Sequence, residues 1–130
     1  MPQSSNPAYE YSVFDVVLMG ALHKGSIFSS FSKSDEILAT RNLEKLGILH
    51  LKNEAYTKIS GGERQLTYIA RALTQEARII FMDEPTNGLD FGNQIKLLEM
   101  IKWLKNEGKT IVLPPTTHAT QNLFQIGFCF

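Results

Sequence analysis

The chain has 130 residues, with 13 basic and 13 acidic side chains, so no net basic field exists to recruit nucleic acid or an anionic membrane. That length holds one domain at most. The single cysteine, Cys129, excludes an internal disulfide and fits a cytosolic setting. No apolar run approaches the roughly eighteen residues of a membrane span, and the polar start Met1 to Asn6 is not a signal peptide. Any membrane association is therefore expected to come through a protein partner.

In chain order, Ser12 and Asp15 have the spacing of a capping box, and Val13, Val16, Val17 and Gly20 keep helical spacing after it. Gly25 to Ser34 is a serine-rich loop carrying Phe28 and Phe31. Ser34 is the expected N-cap of a helix through Leu46, which distributes Ile37, Leu38, Arg41 and Leu46 over its faces and stops at Gly47. His23 and His50 stand without metal-ligand spacing around them, as solvated or packed histidines. Arg71 and Arg78 read as helix-surface or helix-end charges.

Ser60-Gly61-Gly62-Glu63 is the next helix start. The Ser60 hydroxyl can take a first-turn N–H while the Glu63 carboxylate reaches back, and Leu66, Ile69, Ala70 and Leu73 continue as an apolar face. Alone, this pattern is more often an ordinary capped surface helix, because the box is common. The glycine pair, however, leaves no side chain over amides that carry partial positive charge, so a phosphate could approach closely.

Ile79 to Met82 is an apolar run expected to be a parallel strand buried on both faces, delivering Asp83 and Glu84 at its carboxyl end. Asp83 is placed to hold Mg²⁺ on a nucleotide, and Glu84 to polarise an attacking water as general base. A helix over Asn93 to Glu107, with Leu97, Ile101 and Leu104 on one face and Gly108 as its stop, then leads to a second strand over Thr110 to Leu113. Strand, helix and strand make a βαβ unit with parallel strands. Pro114 and Pro115 interrupt that second strand, and the apolar stretch Leu123 to Phe130 is an association liability.

Four motifs in register carry a resemblance to the ATP-binding subunits of ABC transporters. Ile59 to Glu63 resembles the signature motif, Ile79 to Glu84 the Walker B strand, Asn87 to Asp90 the D-loop, and Thr116-Thr117-His118 the switch histidine. Pro2-Gln3 matches the start of the Q-loop, and Tyr11 to Gly20 resembles the subgroup serving iron-chelate, haem and cobalamin importers. Three positions depart from the pattern: Glu63 where Gln is commonest, Ala21 where the subgroup has Arg, and Ala119 where Asp follows the histidine.

The resemblance implies an α/β, P-loop NTPase fold of the ABC ATPase type, present in part: a helical subdomain over about residues 4–75 and part of the parallel-sheet core over 76–130. It implies ATP and Mg²⁺ as cofactors. Glu84 and His118 would be catalytic. Gln3, Ser60, Gly61, Gly62, Glu63, Asp83 and Asp90 would contact the nucleotide, Gln3 and Asp83 also the metal. The implied partners are transporter membrane subunits and a second ATP-binding subunit, on the inner face of the cell membrane.

A phosphate-cradling loop needs Gly, four residues, then Gly-Lys-Ser/Thr. The one Gly-Lys-Thr, Gly108 to Thr110, has Trp103 at the first glycine's place and runs from helix into strand, the reverse of the required order. The chain is thus expected to begin after that loop, to need an upstream fragment carrying it, and to be inactive alone. The alternatives are a non-catalytic module docking on membrane subunits or a partner ATPase, and the remnant of a truncated gene.

Overall fold

A computed structural model describes residues 10–24 (backbone alone at 23 and 24), 30–83, 85 and 89–113. The chain divides into two compact units, Met1–Glu76 and Ala77–Phe130.

The first unit is helical. Helix α1, Val13–Leu18, starts at Ser12, whose hydroxyl accepts from Asp15 N while the Asp15 carboxylate accepts from Ser12 N. Its next two amides, of Val13 and Phe14, are satisfied by the carbonyls of Glu54 and Lys52. A 3-10 turn over Met19–Lys24 follows.

Helix α2 spans Lys33–Lys45. Its cap is Ser32, not the expected Ser34, because Ser32 has an acid three residues on, Asp35, to complete the box, whereas Ser34 has Ile37 there. Gly47, at φ +70°, supplies the left-handed residue that ends the helix.

Helix α3, Gly61–Thr74, is the element on which both α1 and α2 pack. Its buried face is Thr67, Ile69, Ala70 and Thr74, while Leu66 and Leu73 are only half-buried, so the face is turned from the expected one. The two threonines tolerate burial because each hydroxyl donates to the carbonyl one turn back, Thr67 to Glu63 at 2.8 Å and Thr74 to Ala70 at 2.9 Å. Val13, Val17, Leu43, Ile69 and Ala70 form the fully buried centre.

The second unit holds strands β1, Ile79–Phe81, and β2, Thr110–Val112, paired in parallel with Ile80 opposite Ile111. Helix α4, Phe91–Asn106, connects them, two residues longer at its start than the expected Asn93 because Asp90 caps it. Leu97, Leu98, Ile101 and Leu104 form its buried face, and Gly108, at φ +83°, ends the turn after it.

The expectation that β1 is buried on both faces is not met. Ile80 and Met82 are buried, but Ile79 and Phe81 are 53% and 64% exposed. Alternation puts them on the opposite side of the sheet from Ile80 and Met82. The double proline at 114 and 115 and the stretch 123–130 lie outside the described residues.

Candidate functional site

At the start of α3, the Ser60 hydroxyl accepts from Glu63 N at 3.2 Å, and the Glu63 carboxylate accepts from Ser60 N at 2.8 Å. Both halves of the capping box are therefore formed. Ser60 and Gly61 are exposed, and a Cβ added at Gly61 would meet nothing within 4 Å. Packing within the chain does not require glycine there, although glycine is the costlier residue in a helix. The space it leaves is over the positive end of a helix dipole.

Sequence reasoning missed the residue that holds this turn. Arg64 donates through Nη2 to the Thr57 carbonyl at 2.7 Å and through Nε to the Tyr56 carbonyl at 3.3 Å. Its guanidinium lies 5.8 Å from the Tyr56 ring centroid. The 3-10 turn Tyr56–Lys58 is thereby tied to the first turn of α3, and Ser60 sits inside the closed segment. No pattern in the sequence pairs an arginine with carbonyls of a turn seven and eight residues earlier.

In the second unit, Asp83 is exposed and lies two residues beyond the end of β1, next after Met82, whose N–H donates to the Val112 carbonyl at 3.0 Å. Asp90 serves as N-cap of α4, its Oδ1 accepting from Asn93 N at 2.8 Å, a role that the spacing Asp-x-x-Asn could have signalled. Gln94 Nε2 donates to the Leu89 carbonyl at 2.9 Å and fixes the segment just before the cap.

Ser60 to Glu63 thus belong to one unit, and Asp83 and Asp90 to the other. Gln3, Glu84, Asn87, Gly88 and His118 lie outside the described residues. His50 is exposed, and no group of three or more metal-ligating side chains occurs among the described residues. Mg²⁺ does not need one: it is commonly held by one or two carboxylates together with substrate phosphates and water. A single exposed carboxylate at the strand end, Asp83, fits that donor set. The Gly108-Lys109-Thr110 triplet is structural, with Lys109 Nζ donating to the Ala77 carbonyl at 2.9 Å as the chain passes from α4 into β2.

A family model described as ABC transporter matches residues 1–87. An uncharacterised ABC transporter ATP-binding protein of Haemophilus influenzae is 40% identical over 127 residues, which are 98% of this chain and 48% of that protein. The molybdate import ATP-binding protein MolC of the same organism is 37% identical over 128 residues, 98% of this chain and 50% of that protein. Among solved structures, an inward-facing transporter described as of the metal-chelate type superposes with a TM-score of 0.76 at 36% identity, covering 82% of this chain and 43% of that one. The chain belongs to the ABC transporter family, and its fold is part of the ATP-binding cassette. It spans about half the length of the curated relatives it matches.

Proposed function

We propose that this chain works in the ATP-hydrolysing subunit of an importer for a metal-containing solute: an oxyanion such as molybdate, a metal ion such as the manganese of a further relative's description, or a metal chelate. The solute class is supported by the relatives' own descriptions, MolC for molybdate and the solved transporter for metal chelates. The observation that carries the nucleotide role is the open, glycine-flanked start of α3, where an exposed serine caps a helix whose first position faces empty space.

In this reading, Ser60, Gly61 and Gly62 receive the terminal phosphate of a nucleotide held on a second ATP-binding subunit, with Glu63 beside them. The Ser60 hydroxyl and the first-turn amides donate to phosphate oxygens. Asp83 would hold Mg²⁺, which when bound would supply positive charge beside the phosphate oxygens. Glu84 orients the attacking water, and Gln3, Asp90 and His118 complete the nucleotide contacts. The helical unit docks on membrane subunits, which keeps the chain on the inner face of the membrane; no helix among the described residues is long and apolar enough to cross one.

The test is Mg-ATP hydrolysis by the transporter assembly containing this chain, with vesicle uptake of molybdate, manganese and a ferric chelate in parallel. Turnover lost in both Ser60→Ala and Asp83→Asn, with ATP-dependent uptake of one of these solutes, is expected. Full turnover in both variants would reject the nucleotide role. ATP-dependent uptake of none of the three would reject the solute class.

A further inference from the structure

Between the 3-10 turn Tyr56–Lys58 and α3 the chain has a short extended link. Ile59 lies at φ −85°, ψ 160° and Ser60 at φ −67°, ψ 164°. Among the described residues, the Ser60 backbone bonds only forward, its N–H to the Glu63 carboxylate and its carbonyl to Arg64 N. The capping box therefore fixes Ser60 to α3 but does not fix α3 to the chain before it. Ile59 is buried and anchors the link, yet apolar contact is non-directional and sets no twist.

The 3-10 turn itself has a fixed frame. Tyr56 N donates to the Tyr11 carbonyl at 2.9 Å, Ala55 pairs with Ser12 in an antiparallel bridge, and Val13 N donates to the Glu54 carbonyl at 2.9 Å. The Glu10 carboxylate holds the turn from its other end, 3.4 Å from Thr57 Oγ1 and 3.7 Å from Lys58 Nζ. Residues 54–58 are thus joined to the start of α1. What spans the link from that frame to α3 is the Arg64 guanidinium, on the carbonyls of Tyr56 and Thr57.

We infer that Arg64 is a positioning residue for Ser60: it locks the extended link and holds the serine in register with the start of α1. A planar guanidinium bonded to two successive carbonyls restrains twist as well as distance. A lysine could reach one carbonyl as a point charge and would leave the twist free. The inference rests on the proposed role of Ser60 as a phosphate ligand.

The experiment is steady-state Mg-ATP hydrolysis by the assembly containing this chain, with thermal unfolding of each variant. The variants are S60A, R64A, R64K, S60A/R64K and, as a control for stability alone, N42A at the α2–α3 interface. Loss of the serine donor in S60A is expected to lower kcat/KM roughly a hundredfold. R64A lowers it about tenfold, because the donor is displaced rather than removed. R64K falls between wild type and R64A, since it restores the charge but not the fork. S60A/R64K falls no further than S60A, because Arg64 acts through Ser60. N42A lowers the unfolding temperature and keeps wild-type turnover below it.

Wild-type turnover in R64A, or in R64K should R64A fail to assemble, would overturn the positioning role while leaving Ser60 as ligand. So would R64K and S60A losses that multiply, or an N42A loss as large as that of R64A. Undiminished turnover in S60A, or no turnover in the wild-type assembly, would instead overturn the phosphate-ligand role and this inference with it.

Discussion

The side-chain amide of Asn42 donates to the hydroxyl of Thr74 at 3.0 Å, joining the middle of α2 to the last residue of α3 across 32 residues of sequence. Both residues are buried, Asn42 at 4% exposure and Thr74 at 0%. The Thr74 hydroxyl passes its own proton to the Ala70 carbonyl at 2.9 Å, so the two side chains form a short relay across the helix interface. Replacing Asn42 by Ala leaves an unmet acceptor and a void at once. The expected loss of unfolding free energy is about 2 kcal/mol, read from urea denaturation.

Gly20 allows the turn after α1 to lie against the end of α3. A Cβ there would run into the Arg71 carbonyl oxygen and stand 3.1 Å from the Gln75 backbone nitrogen. Both obstacles are backbone and cannot rotate aside. Gly20→Ala is therefore expected to cost about 3 kcal/mol by forcing α1 and α3 apart, a loss visible in thermal unfolding.

In the second unit, burial separates two apolar residues of α4. Leu104 is 0% exposed and Phe91 77%. Leu104→Ala should destabilise by about 3 kcal/mol through the cavity it opens. Phe91→Ala should stay within about 0.5 kcal/mol of wild type, because exposed positions seldom contribute more. Paired denaturation curves check both.

The capping serines separate stability from function. Ser32→Ala and Ser60→Ala each remove a helix cap and should each cost about 1 kcal/mol in denaturation. Only Ser60→Ala should also reduce Mg-ATP turnover, because only that cap opens onto the space beside Gly61.

Local chemistry was the most legible part of this chain. The Ser12 and Ser60 boxes and the left-handed stops at Gly47 and Gly108 depend on residues within a few positions of one another, and each forms as the spacing implies. The cap of α2 is also local, but it falls on Ser32 and not on the expected Ser34, because Asp35 is the deciding partner. Burial was less legible. Thr67 and Thr74 lie inward on α3 because their hydroxyls are satisfied within the helix, a saving that hydrophobic periodicity does not register. Ile79 and Phe81 look like core in sequence, and their exposure depends on what lies over the second face of the sheet. Arg64's grip on the Tyr56 and Thr57 carbonyls is a matter of three-dimensional closure, beyond any local pattern.

The central claim, that the serine-capped, glycine-opened end of α3 receives a nucleotide phosphate, is tested most directly by a structure of the assembly trapped with Mg-ATP. Ser60 Oγ is expected within about 3 Å of a phosphate oxygen, with the phosphate in the space beside Gly61. A bound nucleotide whose phosphates lie elsewhere, with Ser60 facing only solvent, would contradict it.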